Sequence, residues 1–198
     1  MRTVAYSSSE GIKNISEIYF EDNFSIIDLT YGKGSFWKFP YNFKLDRNDM
    51  KVQGLEFNFD FRNIPLKDQS YDVTVFDPPY YGHGIKNKVD PTIKYGLIDN
   101  FVTLDDCIRN LYIKGLAEAS RITKNNGIII VKTTDGCDYY PMLPFILNLR
   151  IGKFLDQVIV VNNNIENFHQ SKDKKKSKLR TVHSNLIVLR NSYFARGQ

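Results

Sequence analysis

Cysteine is nearly absent. Cys107 and Cys137 stand thirty residues apart, in no CxxC or Cys/His pattern. That argues against a disulfide framework and against a metal centre, and the two read as free thiols of a reducing cytoplasm. Long apolar runs are missing too: the longest, such as Ile128-Ile129-Ile130-Val131, fall far short of a membrane span. Met1-Arg2-Thr3-Val4 opens no stretch of signal-peptide character, so neither export nor a membrane partner is expected. No internal repeat is visible, and the only low-complexity stretch is Lys172–Arg180. What is present, 198 residues with 42% hydrophobic and 25% charged, suits a single globular domain over 1–198. A net charge of +5 and a pI near 9.0 fit a polyanionic partner without demanding one.

The chemistry concentrates in one stretch, Tyr71 to Gly84. Tyr71–Phe76 is β-branched and aromatic and reads as a strand, with Val73, Val75 and Phe76 buried. Pro78 and Pro79 cannot donate to a sheet ladder, so the strand stops there. Their fixed φ stiffens a rim of acceptors, the Asp77 carboxylate and the Asp77 and Pro78 carbonyls, beside the ring of Tyr80. Such a rim suits a planar ligand bearing an amino group. Upstream, the apolar strand Ser25–Asp28 runs into Leu29-Thr30-Tyr31-Gly32-Lys33-Gly34. Glycines there allow positive φ and close approach of the backbone to a ligand, and a following helix would offer its N-terminus. Tyr41–Asp46 reads as a strand ending in an acid. An acid at the end of the strand that follows a glycine turn is placed for ribose hydroxyls; Asp46, twelve residues past Gly34, is that candidate and equally suits an exposed turn.

Asp77-Pro78-Pro79-Tyr80 resembles the catalytic tetrad of the amino-methyltransferases, which move a methyl group from S-adenosylmethionine to an exocyclic amine of a nucleobase. Asp28-x-x-x-Gly32-x-Gly34, about fifty residues upstream, resembles that family's first motif. Thr30 stands where phenylalanine is usual, and Lys33 separates the glycines, reaching the cofactor carboxylate or pointing to solvent. The resemblance implies Asp77, Pro78, Pro79 and Tyr80 as catalytic residues. It implies Asp28, Thr30, Tyr31, Gly32, Gly34, Asp46, Asp60 and Phe61 as contacts of S-adenosylmethionine, with Asp60 on the adenine amine and Phe61 against the ring. The segment before the first strand, 1–24, is an option for the methionine end. Asp in the first tetrad position implies adenine N6 or guanine N2 rather than cytosine. The motif order and small core resemble prokaryotic and viral DNA methyltransferases, which favours adenine N6 in DNA within a prokaryotic or virus-infected cytoplasm. RNA is the alternative polymer, and a non-catalytic subunit the alternative class.

Elsewhere, Leu55, Phe57 and Phe59 alternate with polar residues as a strand would, and Ser9 or Asn14 could cap a helix carrying Ile12, Ile15 and Ile18. Thr103–Asp106 resembles a capping box opening a helix with Ile108, Leu111, Tyr112 and Ala119 on one face. Lys124-Asn125-Asn126-Gly127 reads as the turn into a buried strand, Gly127–Lys132. A helix at Pro141–Leu149 and strands at Phe154–Val161 and Ser184–Leu189 complete the order. Helices alternating with apolar strands give an α/β, doubly wound, Rossmann-like fold, mostly parallel, with an antiparallel C-terminal hairpin. This matches the methyltransferase version of that fold. No room remains for a separate target-recognition domain. Recognition would fall to loops 81–102 and 162–181, with Lys86, Lys88, Lys174, Lys175 and Lys176 on phosphates, or to a partner chain.

Overall fold

The computed structural model describes residues 3–79, 108–134, 141–161 and 183–192. Its centre is a pair of apolar parallel strands, β4 (Tyr71–Phe76) and β5 (Thr123–Thr133). Val73, Val75, Phe76 and Ile129–Val131 are fully buried, as expected of strands covered on both faces. β2 (Ser25–Asp28) pairs with β4, and β3 (Lys44–Arg47) forms the edge beyond β2, all parallel. On the other side β7 (His183–Asn191) runs antiparallel to β5, β6 (Gly152–Val161) runs antiparallel to β7, and β1 (Val4–Ala5) lies parallel to β6. The described strands thus form one seven-stranded sheet in the order β1-β6-β7-β5-β4-β2-β3. The mostly parallel sheet with its antiparallel β6–β7 pair is the expected arrangement.

Alternation along the strands sorts side chains onto two faces. Val73, Val75, Ile128 and Ile130 face α1 (Ser8–Tyr19), which buries Ile12 and Ile15. Phe76, Ile129 and Val131 face α2 (Lys114–Ile122), entered through a π-helical turn at Ile108–Ile113, and α3 (Met142–Asn148). Among the described residues no helix is long and apolar enough to cross a membrane.

Four local expectations change. α1 is capped by Ser7, not Ser9 or Asn14: the Ser7 hydroxyl accepts the Glu10 N–H at 3.0 Å, and the Glu10 carboxylate accepts the Tyr6 N–H. No helix follows the glycine turn. Only turns separate Asp28 from Lys44, because Pro40 and a run of aromatics leave no helical span in that short connection. Phe36, Trp37, Phe39 and Phe43 pack on the sheet where the helix was expected. Residues 55–59 form no strand. The Asn48 side chain supplies what a ladder would, donating to the Leu29 and Phe59 carbonyls and accepting the Phe59 N–H; a single bridge joins Asn48 and Phe57. Finally, β5 begins at Thr123, so Lys124–Gly127 is a bulge within the strand. Asn126 takes a φ of 65° there, and the Asn191 amide donates to the Ser120, Thr123 and Lys124 carbonyls at the end of α2.

α2 approaches the sheet closely through Gly115, where an added Cβ would lie 2.4 Å from Cζ of the buried Phe76 ring and 3.0 Å from Phe61. A buried ring cannot swing aside as an exposed chain end can. Gly115→Ala should therefore lower unfolding stability by about 1–3 kcal/mol, read from urea unfolding; an unchanged midpoint would show that the helix shifts without cost.

Candidate active site

The parallel register brings the C-terminal ends of β2 and β4 to one level against β5: Asp28 pairs with Val75, and Phe76 with Val131. The chain leaves β2 as Leu29-Thr30-Tyr31-Gly32 and leaves β4 as Asp77-Pro78-Pro79. Between these two turns lies a cavity of about 190 Å3. Its lining includes Thr30, Tyr31, Gly32, Asp49, Phe61 and the Asp77–Pro79 turn, with Lys33, Ser35, Leu29 and Met50 completing it.

The turn after β2 is held from three sides. Asp28, 2% exposed, accepts the Trp37 indole N–H at 2.7 Å and the Thr30 N–H at 3.0 Å. Asp49 accepts the Gly32 N–H at 3.0 Å and, through its other oxygen, the Lys51 and Val52 N–H groups. Gly32 and Gly34 sit at φ of 56° and 69°, and a Cβ on Gly34 would meet the Tyr31 ring at 2.6–2.8 Å. Glycine is required at 34 on both counts. The Thr30 hydroxyl accepts the Asp77 N–H at 2.8 Å, joining the two turns directly.

The Asp77 carboxylate meets Lys132 at the end of β5, with Nζ 3.1 Å from Oδ2. The same ammonium lies 5.2 Å from the centre of the Phe36 ring. Asp28 is the strongly shifted acid of the site. Burial pushes its pKa from 3.8 to about 7; the Trp37 and Thr30 hydrogen bonds oppose the rise, and the nearby Asp77 and Asp49 charges add to it.

Of the residues singled out in the sequence, Thr30, Tyr31, Gly32, Phe61, Asp77, Pro78 and Pro79 line the cavity together. Asp28 and Gly34 lie behind it and shape the turn. Asp46 does not line it. Its carboxylate accepts the Tyr71 hydroxyl at 2.8 Å and is nine-tenths buried, because β3 continues to Arg47 and the chain reaches the cavity only at Asp49. Asp60 does not line it either, being held in a two-pronged pair with Arg62. Lys33 is exposed at the rim. No residue of 3–24 takes part in the lining. Tyr80, Lys86, Lys88, Lys174, Lys175 and Lys176 lie outside the described residues, as do loops 81–102 and 162–181 and the Thr103–Asp106 cap. Asp49, Met50, Trp37 and Lys132 were not read from the sequence. Asp49 had a signal, as the second acid of Asp46-Arg47-Asn48-Asp49, whereas Lys132 had only its place as the last residue of the expected strand Gly127–Lys132.

No family model and no curated protein sequence matches the chain. Solved structures do match in fold. The 1,6-didemethyltoxoflavin-N1-methyltransferase of Burkholderia thailandensis, bound to S-adenosylhomocysteine, superposes with a TM-score of 0.54 at 10% identity over 95% of this chain and 80% of that one. The N-methyltransferase NodS of Bradyrhizobium japonicum WM9 gives 0.54 at 8% identity over 93% and 94%. The [4+2]-cyclase SpnF gives 0.53 at 10% identity over 94% and 82%. The chain has the Rossmann-like fold of S-adenosylmethionine methyltransferases, and the [4+2]-cyclase SpnF matches it in fold as well.

Because Asp28 binds its proton more tightly folded than unfolded, its contribution to stability is complete below pH 3.8 and is lost as pH rises towards 7. Relative to Asp28→Asn, the wild type should lose up to about 1.4 kcal/mol per pH unit across that window. Parallel pH curves for the two proteins in chemical denaturation would contradict the shift.

Proposed function

We propose that this protein transfers the methyl group of S-adenosylmethionine to an exocyclic amine of a nucleobase, adenine N6 in DNA. One observation carries the reading: a single cavity is walled on one side by the glycine turn after β2 and on the other by Asp77-Pro78-Pro79, the turns bonded to each other through Thr30 and Asp77. The residues fit the cofactor. Gly32 and Gly34 add no side chain at two positions of the turn, Asp49, which lines the cavity, takes the part of the acid for ribose hydroxyls expected of Asp46, and Phe61 offers an apolar wall for the adenine ring.

S-adenosylmethionine, when bound, supplies a methyl group on a positively charged sulfur. The chain's residues prepare the nitrogen. An aromatic amine delocalises its lone pair into the ring, so it attacks only when its hydrogens are drawn out of the ring plane. The Asp77 carboxylate and the Pro78 carbonyl accept those two hydrogens and stabilise positive charge as the nitrogen–carbon bond forms and the sulfur–carbon bond breaks, with its electron pair left on sulfur. The alkylated nitrogen then sheds one proton, for which Asp77 is the acceptor at the turn. Pro79 shapes the pocket and Tyr80 stacks the base. In a duplex the base is first flipped out of the stack. The basic loops 81–102 and 162–181 hold the polymer through its phosphates.

The test is transfer of labelled methyl from S-adenosylmethionine to unmethylated duplex DNA, single-stranded DNA and structured RNA, with mass spectrometry of the digested nucleosides. N6-methyldeoxyadenosine is expected. N6-methyladenosine or a methylguanosine from the RNA would move the substrate to RNA, and cofactor binding with no product on any polymer would favour a non-catalytic subunit.

Two variants separate chemistry from cofactor binding. Asp77→Ala should abolish transfer while the dissociation constant for S-adenosylmethionine stays within about threefold of wild type. Gly32→Val places a β-branched residue at positive φ, a strain of about 1–3 kcal/mol, and should weaken cofactor binding by about tenfold or more. Calorimetry decides both, and wild-type affinity in Gly32→Val would remove the turn from the cofactor site.

A further inference from the structure

The face of β5 that carries Ile128 and Ile130 presents Lys132 as its next residue, one step past the Phe76–Val131 pair and beside Asp77, the first residue after β4. A lysine continuing an apolar stripe needs a compensating partner. Among the described residues, Lys132, with its side chain 16% exposed, sets Nζ 3.1 Å from Asp77 Oδ2, and its ammonium lies against the face of Phe36. Phe36 itself, 4% exposed, belongs to the aromatic segment anchored by Trp37 to Asp28. The ammonium is therefore confined between a buried ring and the carboxylate, and its position is fixed by the strand on which it stands.

Resting on the reading above, we propose that Lys132 is a positioning residue for methyl transfer: it fixes the plane of the Asp77 carboxylate so that the target amine meets an acceptor already aimed at it. A carboxylate turned about Cβ–Cγ away from that aim loses the geometry that brings the amine lone pair out of the ring. Thr30 holds the Asp77 backbone and Lys132 holds its side chain; together they leave the residue little freedom.

The experiment compares wild type with K132M and K132R in single-turnover transfer to the polymer that wild type methylates, beside cofactor calorimetry and thermal unfolding. The single-turnover rate of K132M should fall by about 100-fold while the KM and dissociation constant for S-adenosylmethionine stay within about threefold. K132R, which retains the charge, should recover to within about tenfold of wild type. A K132M rate within about threefold of wild type, with wild type active, overturns the inference and leaves the proposed function standing. A fall in cofactor affinity that accounts for the whole loss also overturns it, since Lys132 then serves the fold of the cofactor turn. K132Q replaces K132M, read by the same criteria, if the methionine variant does not fold. Absence of any methylated nucleobase with wild type is a failure of the proposed function itself, and the role of Lys132 falls with it.

Discussion

The register of three parallel strands is the constraint on which the rest depends. β2 and β4 end within one rung of each other beside β5, which runs two residues further, so a glycine turn, an Asp-Pro-Pro turn and a lysine lie side by side. Slipping β4 by one residue would turn Asp77 to the other face and bury a carboxylate against α2. The register is secured by complete burial of Ile26, Ile27, Val73, Val75 and Ile128–Val131 within 3% exposure. Hydrophobic burial, which has no chemistry of its own, thereby aligns the groups that do.

Polar groups then lock the ends of the strands. Asp28 stands within the core as an acceptor for Trp37 and Thr30, and Thr30 passes the constraint on to Asp77. The indole fixes the aromatic segment that takes the place of a crossover helix, and that segment in turn sets Phe36 beneath Lys132. The cost is visible in Asp28, whose burial pushes its pKa to about 7. A carboxyl group so desolvated is tolerated only because both oxygens have donors.

Much of this was legible in the residues. The central strands β2, β4 and β5 announced themselves by β-branched runs, and the two turns by proline and by glycine, because those residues limit or release φ whatever their surroundings; the two-residue β1 had no such signal. What depended on long-range partners was not legible. The alternation at 55–59 was real, since Phe57 and Phe59 are partly buried and Glu56 and Asn58 exposed, yet the Asn48 amide, not a strand ladder, satisfies the backbone there. Asp46 and Asp49 could be told apart only once β3 was seen to run to Arg47. Thr30, read as a departure from the usual phenylalanine, proved to be the hydroxyl that joins the turns. Lys132 looked like an ordinary strand end until the register put it opposite Asp77.

The central claim is that the two turns form one ligand site, with the cofactor on the glycine side and the acceptor amine at Asp77. A crystal structure with S-adenosylhomocysteine tests it most directly. The account predicts the adenosine between Asp49 and Phe61, along the Gly32–Gly34 turn, with the sulfur facing Asp77 and Pro78. S-adenosylhomocysteine bound away from this cavity, or with its sulfur turned from Asp77, would contradict it.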